Sequence, residues 1–394
     1  MSRDFFEFFC PVKIVAGYKA LEHIPFELDV RGVSRPMIVT DQGVSGAGIV
    51  DVVERAMSEG GRQVAEVFDQ VSPDSPIEQV VTAAHAYRQS DCDSLVAIGG
   101  GSVMDTAKAV NVLVTEGGDD LTRFIGVNNL TRPLKPLFAI PTTAGTGSEV
   151  TSVSVIKDTK RGAKVPLVSQ YLLPDVAVID PRMTLKLPPV ITAATGMDAL
   201  THAIEAFVCL GKNPMSDAYA TAAISRVARW LIPVLDEPSN TEGRLELAQA
   251  ATMAGIAFSN SMVGLVHSLG HALGAAAGIH HGTCMSIFLP HVLRYNLESR
   301  KEQIGDLLIH LTDADTFTST PADERAASVI DQICRLRDRI HERCGLPRTL
   351  SETGKVSRED LPRIRDLALD DGSLLMNPVE AGAADISRLL DSAW

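Results

Sequence analysis

Apolar residues in the first half of the chain fall in short continuous runs, each followed by a stretch with helical spacing. PMIVTD (36–41) reads as a strand ending in an acid, with a helix behind it over Ile49–Met57. RQVAEVFD (62–69) is a second strand, followed by helical periodicity over Pro76–Arg88. SLVAIGGGS (94–102) is a third, running into glycines and then the helix VMDTAKAVNVLV. PLFAIPTTAGTGSE (136–149) is a fourth strand with its loop, and VAVID (176–180), closed by Pro181, is a fifth. Apolar runs alternating with helices predict a parallel sheet covered on both faces. TSVSVIKD (151–158) alternates instead, which predicts a hairpin with KVPLVS (164–169).

After LKLPP (185–189) the period changes. TAATGMDALTHAIEAFV, SDAYATAAISRVARWLIPVL, GRLELAQAATMAGIAFS and the histidine-bearing stretch that follows are all helical in spacing. Amphipathic, charged helices are expected over 322–343 and 358–369, and a last one near 379–391. The predicted fold class is an α/β N-terminal domain over 1–187 and an all-α C-terminal domain over 188–394. Two domains also suit a chain of 394 residues, which is long for one simple core.

Composition narrows the partners. Hydrophobic residues at 45% and charged ones at 22% are ordinary for a soluble globular chain. A net charge of -13 argues against nucleic acid or an anionic membrane surface as partner. The cysteines at 10, 92, 209, 284, 334 and 344 form no CxxC pair, which suits a reducing cytoplasm. The opening MSRDFFEFFCPVKIVAG carries Asp4 and Glu7 and no long apolar core, so a secretory signal is not expected. Leu247 to Leu293 lacks any Asp, Glu, Lys or Arg, but Gln249, Asn260 and several histidines interrupt it. A buried helix pair is therefore expected there rather than a membrane span.

Two small-residue loops follow strands. AIGGGSVMDTAK places three glycines after a buried strand, with Ser102 expected to cap the next helix. Such a turn lets a pyrophosphate approach backbone N–H groups, or it is a tight turn that binds nothing. It is not GxGxxG and lies on the third strand, so an ordinary Rossmann fingerprint is absent. In PTTAGTGSEVTS, Thr142, Thr143, Thr146, Ser148 and Thr151 could donate to phosphate or ribose, or simply satisfy a loop. Asp41, at the end of its strand, is placed to accept from a ribose, with a helix cap as the alternative.

GMDALTHAIEAF puts Asp198 and His202 four apart on one helix face, half of a divalent metal site. The other half is expected from GLVHSLGHALGAAAGIHHG (264–282), which holds His267, His271, His280 and His281. His267 and His271 are also four apart, like the pair of an HExxH site, whereas His281 follows across the breaker-rich AAAGIHHG. Spacing alone does not choose between His271 and His281. Three nitrogens and one oxygen would suit Fe²⁺ or Zn²⁺ with an open position.

GGGSVMDTAKA (99–109), PTTAGTGSEVT (141–151), AATGMDALTHAIEAF (193–207) and the 264–282 stretch together resemble the iron-containing (group III) alcohol dehydrogenases. Lactaldehyde reductase and 1,3-propanediol dehydrogenase are members of that family, which has a dehydroquinate synthase-like fold. The closing Asn377–Pro378 and the terminal Ala-Trp are similar too, so the resemblance runs the length of the chain. It implies an N-terminal dinucleotide-binding domain and a C-terminal metal-binding one. It implies metal ligands at Asp198, His202, His267 and His281, and a catalytic role without ligation for His271. It implies that Asp41 receives the adenosine ribose and favours NAD over NADP, and that Gly100, Gly101 and Ser102 form the pyrophosphate turn. Thr142, Thr151, Val153, Lys164 and Met183 map to further cofactor contacts, and Asp105, Thr143 and Thr146 are counted with them. Asp74 stands where many members have Asn.

The implied reaction is reversible hydride transfer between a small primary alcohol or diol and nicotinamide, with the metal as Lewis acid and His271 relaying the proton. A homodimer or larger homo-oligomer, in the cytoplasm, is also implied. A glycerol dehydrogenase-like enzyme is the alternative within the superfamily. A dehydroquinate synthase would want a basic cluster, for which only Arg161, Lys164 and Lys212 stand near the motifs.

Overall fold

The computed structural model describes residues 5–161 and 163–394. They form two compact units, Cys10–Lys186, and Leu187–Trp394 together with the segment up to Phe9.

The first unit runs β1 (Lys13–Ala16), α1 (Ile24–Val30), β2 (Pro36–Val39), α2 (Gln42–Gly46), α3 (Ile49–Glu59), β3 (Glu66–Phe68) and α4 (Ile77–Gln89). It continues with β4 (Ser94–Gly99), α5 (Gly101–Glu116), β5 (Gly126–Val127), β6 (Leu137–Pro141), β7 (Val153–Asp158), β8 (Ala163–Val168) and β9 (Val176–Ile179). The main sheet has the order β3-β2-β4-β6-β9-β1, and its pairs are parallel. Every residue of β2, β4, β6 and β9 is buried, which is why these strands read as continuous apolar runs. One apolar cluster gathers α4, α5 and the hairpin under one face, with Val103, Ala107, Val110, Ile156 and Leu167. Another gathers α1 and α3, with Ile24, Leu28, Val53 and Met57.

Chain order decides where this sheet can bind a ligand. From β2 the chain steps outward to β3, then returns to place β4 on the other side of β2. The winding reverses there, and the crevice beyond the C-terminal ends of the two strands is where doubly wound sheets hold ligands. β7 and β8 form the expected antiparallel hairpin, in register Val153↔Val168 to Asp158↔Ala163. Two readings change. β3 covers Glu66–Phe68 rather than 62–69, and β1 carries no sequence signal because an exposed four-residue edge strand shows neither a run nor a period.

The second unit is helical among its described residues: α6 (Pro189–Val208), α7 (Pro214–Asp236), α8 (Thr241–Ser259), α9 (Leu265–Ala277), α10 (His281–Asp306, bent at Arg300), α11 (Leu308–Leu311), α12 (Ala314–Ser319), α13 (Arg325–Cys344), α14 (Leu361–Leu369) and α15 (Ala383–Ser392). Every residue of α6 from Thr192 to Val208 is buried, packed between α7, α8 and α10. A helix apolar all round belongs at the centre of a bundle. Any polar side chain it carries is therefore taken out of water. No described helix is long and apolar enough to cross a membrane.

Candidate metal centre and nucleotide turn

Asp198 and His202 come from the middle of α6, where the same face continues to Glu205, seven residues after Asp198 and three after His202. His267 stands in the first turn of α9, and His281 opens α10. Gly278 ends α9 in the left-handed conformation, φ 62°, and the chain turns back within two residues. Gly282 then lies so close to α6 that a Cβ would fall 2.1 Å from the Ala194 carbonyl oxygen. Only glycine permits that approach, and it carries His281 to Asp198, Nε2 to Oδ1 3.4 Å.

Asp198, His202, His267 and His281 each offer a donor atom, and the four atoms lie within 4.8 Å of one another. His202 is stacked on Phe258 at 4.3 Å and on His267 at 4.5 Å, so its ring is fixed by packing. His267 Nε2 and Asp198 Oδ1 are buried without a hydrogen-bond partner. Burial pushes Asp198 up to about 8 and His267 well below the usual imidazole range. His281 is pushed down too, by burial first and then by the neighbouring imidazoles. Buried polar atoms without partners are costly, and one cation among them would relieve all of these penalties together. The donor set of three nitrogens and one carboxylate fits a divalent transition metal.

Glu205 supplies the outer support. Its Oε2 meets His267 Nδ1 at 2.5 Å, and its Oε1 accepts the Val266 N–H at 2.7 Å. Burial raises this carboxyl to about 7 against the backbone N–H groups of Gly264, Val266 and His267. A carboxylate on the far nitrogen of a histidine turns the other nitrogen inward, the usual backing of a metal ligand.

In the α/β unit, β4 ends at Gly99 and α5 starts at Gly101, with Gly100 as the cap. No side chain caps this helix and no acid lies in its first turn, which leaves its N-terminal N–H groups directed at the turn. A Cβ on Gly100 would sit 3.4 Å from the Thr143 side chain, and one on Gly101 3.2 Å from that of Thr146. The two small-residue loops thus face each other. Asp41 follows the neighbouring β2, one strand across the winding reversal.

These features agree with the comparisons to known proteins. Residues 11–181 match the pattern of iron-containing alcohol dehydrogenase, and residues 192–394 match the Fe-containing alcohol dehydrogenase family, C-terminal. NAD-dependent methanol dehydrogenase of Bacillus methanolicus is 36% identical over 386 residues, covering 98% of this chain and 99% of that one. The chain belongs to the iron-containing alcohol dehydrogenase family. Among solved structures, 1,3-propanediol oxidoreductase is 35% identical with a TM-score of 0.94, over 99% of this chain and 100% of that one. Sulfoacetaldehyde reductase from Bifidobacterium kashiwanohense, solved in complex with NAD+, is 29% identical with a TM-score of 0.87, over 99% of each chain.

Within this iron-containing alcohol dehydrogenase the expected site residues take different places. His271 stands outside the donor cluster, half-exposed, its ring stacked on that of His281 at 5.3 Å and its Nδ1 2.8 Å from Asp371 Oδ2. Ser102, expected from the sequence to cap α5, does not do so. The cap is Gly100, and Ser102 lies inside the first turn, where its carbonyl accepts from Ser75 Oγ at 2.7 Å. Asp41 is both strand terminus and cap, accepting the Val44 N–H at 2.9 Å. Thr142 is buried, its N–H on the Gly99 carbonyl at 3.0 Å. Met183 is buried in the cluster beneath β6 and β9. Asp74 holds Lys164 at 2.7 Å, with Lys157 at 3.7 Å.

Three residues escaped sequence reasoning. Lys108 is fully buried, and its ammonium donates to Ser148 Oγ, Thr151 O, Thr151 Oγ1 and Val153 O at 2.8–3.1 Å. Asp105 accepts from Ser148 Oγ at 3.2 Å beside it. α5 is in this way tied to the loop that bears Thr151 and Val153. Glu205 had a signal, standing one helical turn after His202 on the same face. Asp371 had none, because 100 residues separate it from His271.

Proposed function

We propose that this chain is an NAD(H)-linked, metal-dependent alcohol dehydrogenase, working reversibly as an aldehyde reductase on a small primary alcohol or diol. One observation carries the reading: four donor atoms within 4.8 Å in a buried pocket of α6, α9 and α10, two of them without a hydrogen-bond partner. The relatives named for methanol and 1,3-propanediol support the substrate class, and the NAD-dependent name and the NAD+ complex support the cofactor. Asp198, His202, His267 and His281 would hold Fe²⁺ or Zn²⁺. When bound, the ion supplies Lewis acidity at the alcohol or carbonyl oxygen, and the nicotinamide takes or returns the hydride.

The chain's own residues do the rest. Glu205 fixes the His267 ring so that Nε2 faces the other donors. His271 moves the hydroxyl proton toward solvent, which its exposure allows. The backbone at Gly100 and Gly101 and the first turn of α5 receive the diphosphate, with Ser102, Thr142, Thr143 and Thr146 around it. Asp41 accepts from the adenosine ribose, and its charge disfavours the 2′-phosphate of NADP. Thr151, Val153 and Lys164 are assigned to the nicotinamide half, with Asp74 and Asp105 beside them, and Met183, on the other face of the sheet, to a further cofactor contact. We assign the α/β domain, expected over 1–187, to Cys10–Lys186, the helical domain, expected over 188–394, to Leu187–Trp394 with the segment up to Phe9, and the active assembly to a cytoplasmic homo-oligomer, as the family likeness suggests.

Protein reconstituted with Fe²⁺ or Zn²⁺ should retain the ion through desalting and oxidise NADH with short aldehydes. Failure of both, across a panel of aldehydes and diols, would leave a nucleotide-binding protein without this chemistry. His271→Ala should keep the metal while turnover falls about 10²–10⁴-fold. Loss of metal in that variant would make His271 a ligand instead.

A further inference from the structure

His271 is held from one side by a segment far along the chain. Ser268 Oγ, one turn before it, donates to the Ala368 carbonyl at 2.7 Å in a buried contact. At the other end of the segment, Asn377 Oδ1 accepts the Leu265 N–H at 3.4 Å and the Asn296 amide at 2.9 Å. The Asn377 amide in turn donates to Asn296 Oδ1 at 2.9 Å and to the Val379 carbonyl at 2.7 Å. The stretch 368–377 is thereby pinned to α9 at two places, with Asp371 between them. Asp371 Oδ2 lies 2.8 Å from His271 Nδ1, and Oδ1 accepts the Ser373 N–H at 2.8 Å.

We propose that Asp371 is the positioning residue of His271: it takes the Nδ1–H, fixes the ring, and leaves Nε2 as the nitrogen that exchanges protons. This rests on the reading of His271 as the proton carrier. Burial works against the Asp371 charge, but the bonds from His271 and Ser373 hold the carboxyl below its usual range. An ionised carboxylate can only accept, so the proton of that contact belongs to the imidazole. Among the described residues, the rings that meet it are the imidazoles of His281 and, edge-on at 5.8 Å, His267. Neither can hold Nδ1 as a carboxylate does. A half-exposed histidine without such a partner is free to rotate and to change tautomer, and a base of the wrong tautomer is inactive.

The alternative is that Asp371 only caps the short helical turn Gly372–Met376. Asp371→Asn separates the two roles, because Asn caps as well as Asp but does not enforce one tautomer. In metal-reconstituted Asp371→Asn, kcat should fall about 10- to 100-fold, less than for loss of the base itself, with KM for NAD, metal content and Tm unchanged. Asp371→Glu, which restores an anionic acceptor, should recover part of that loss. In Zn²⁺-reconstituted protein labelled with ¹⁵N-histidine, the resonance missing from His271→Ala should report Nδ1–H in the wild type and a tautomer mixture in Asp371→Asn. Unchanged kcat and an unchanged tautomer in Asp371→Asn, with His271→Ala inactive, would overturn the proposal and leave the cap. Full activity of His271→Ala would overturn the underlying role of His271 instead.

Discussion

Lys108 in the α/β unit and His267 in the helical unit are both polar side chains deep in apolar surroundings. Lys108 is met by four oxygens at 2.8–3.1 Å. His267 has one nitrogen on Glu205 and the other facing nothing that bonds to it. Satisfied polar atoms mark a brace, whereas partnerless ones gathered in one place mark a ligand site, since a native core keeps few orphans. The difference sorts the two buried clusters by task. The ammonium cluster shapes the loop around the glycine turn, and the imidazole cluster keeps donor atoms open to a ligand.

Asp198→Ala tests the open cluster most severely. Removing its one carboxylate should abolish metal retention, measured by elemental analysis, and cut kcat/KM by roughly a thousand-fold or more, the scale of several kcal/mol of Lewis-acid stabilisation. A variant with metal and activity intact would dissolve the distinction. Glu205→Gln should weaken metal binding about 10- to 100-fold in a chelator competition, because the backing carboxylate is lost while the four donors remain. Lys108→Met probes the closed cluster. It strands the Ser148, Thr151 and Val153 oxygens and removes the cation beside Asp105, so thermal denaturation should show a loss of about 3–5 kcal/mol while the metal stays bound. A Lys108→Met protein that loses metal at wild-type stability would reverse the assignment. The smallest effect belongs to Asp74→Ala. Its ion pairs with Lys164 and Lys157 are solvent-exposed, so stability should change by less than about 1 kcal/mol and the difference should shrink further in high salt.

The pattern of the sequence carried most of the α/β unit, because β2, β4, β6 and β9 are buried on both faces and their apolar runs follow directly. It also carried the hairpin, whose alternation in β7 reflects one exposed face. β1 was invisible, since its pairing with β9 joins segments more than 160 residues apart and its exposed face demands no apolar period. Around the candidate site, the i and i+4 spacing of Asp198 and His202 was legible from α6 alone. The choice between His271 and His281 was not. It depends on the turn at Gly278 and the close approach at Gly282, which are properties of backbone packing. Lys108 was hidden for a related reason: a lysine in a helix reads as surface until the loop that covers it is in place.

The clasp at Asn377 has a consequence for how the molecule is made. On the ribosome, Asp198, His202, His267 and His281 all emerge about 90 or more residues before Asp371, and Asn377 follows it. The four clustered donor residues are therefore synthesised well ahead of the carboxylate that holds His271. The segment that holds His271 is thus among the last parts of the chain to be made, after all four donors of the imidazole cluster.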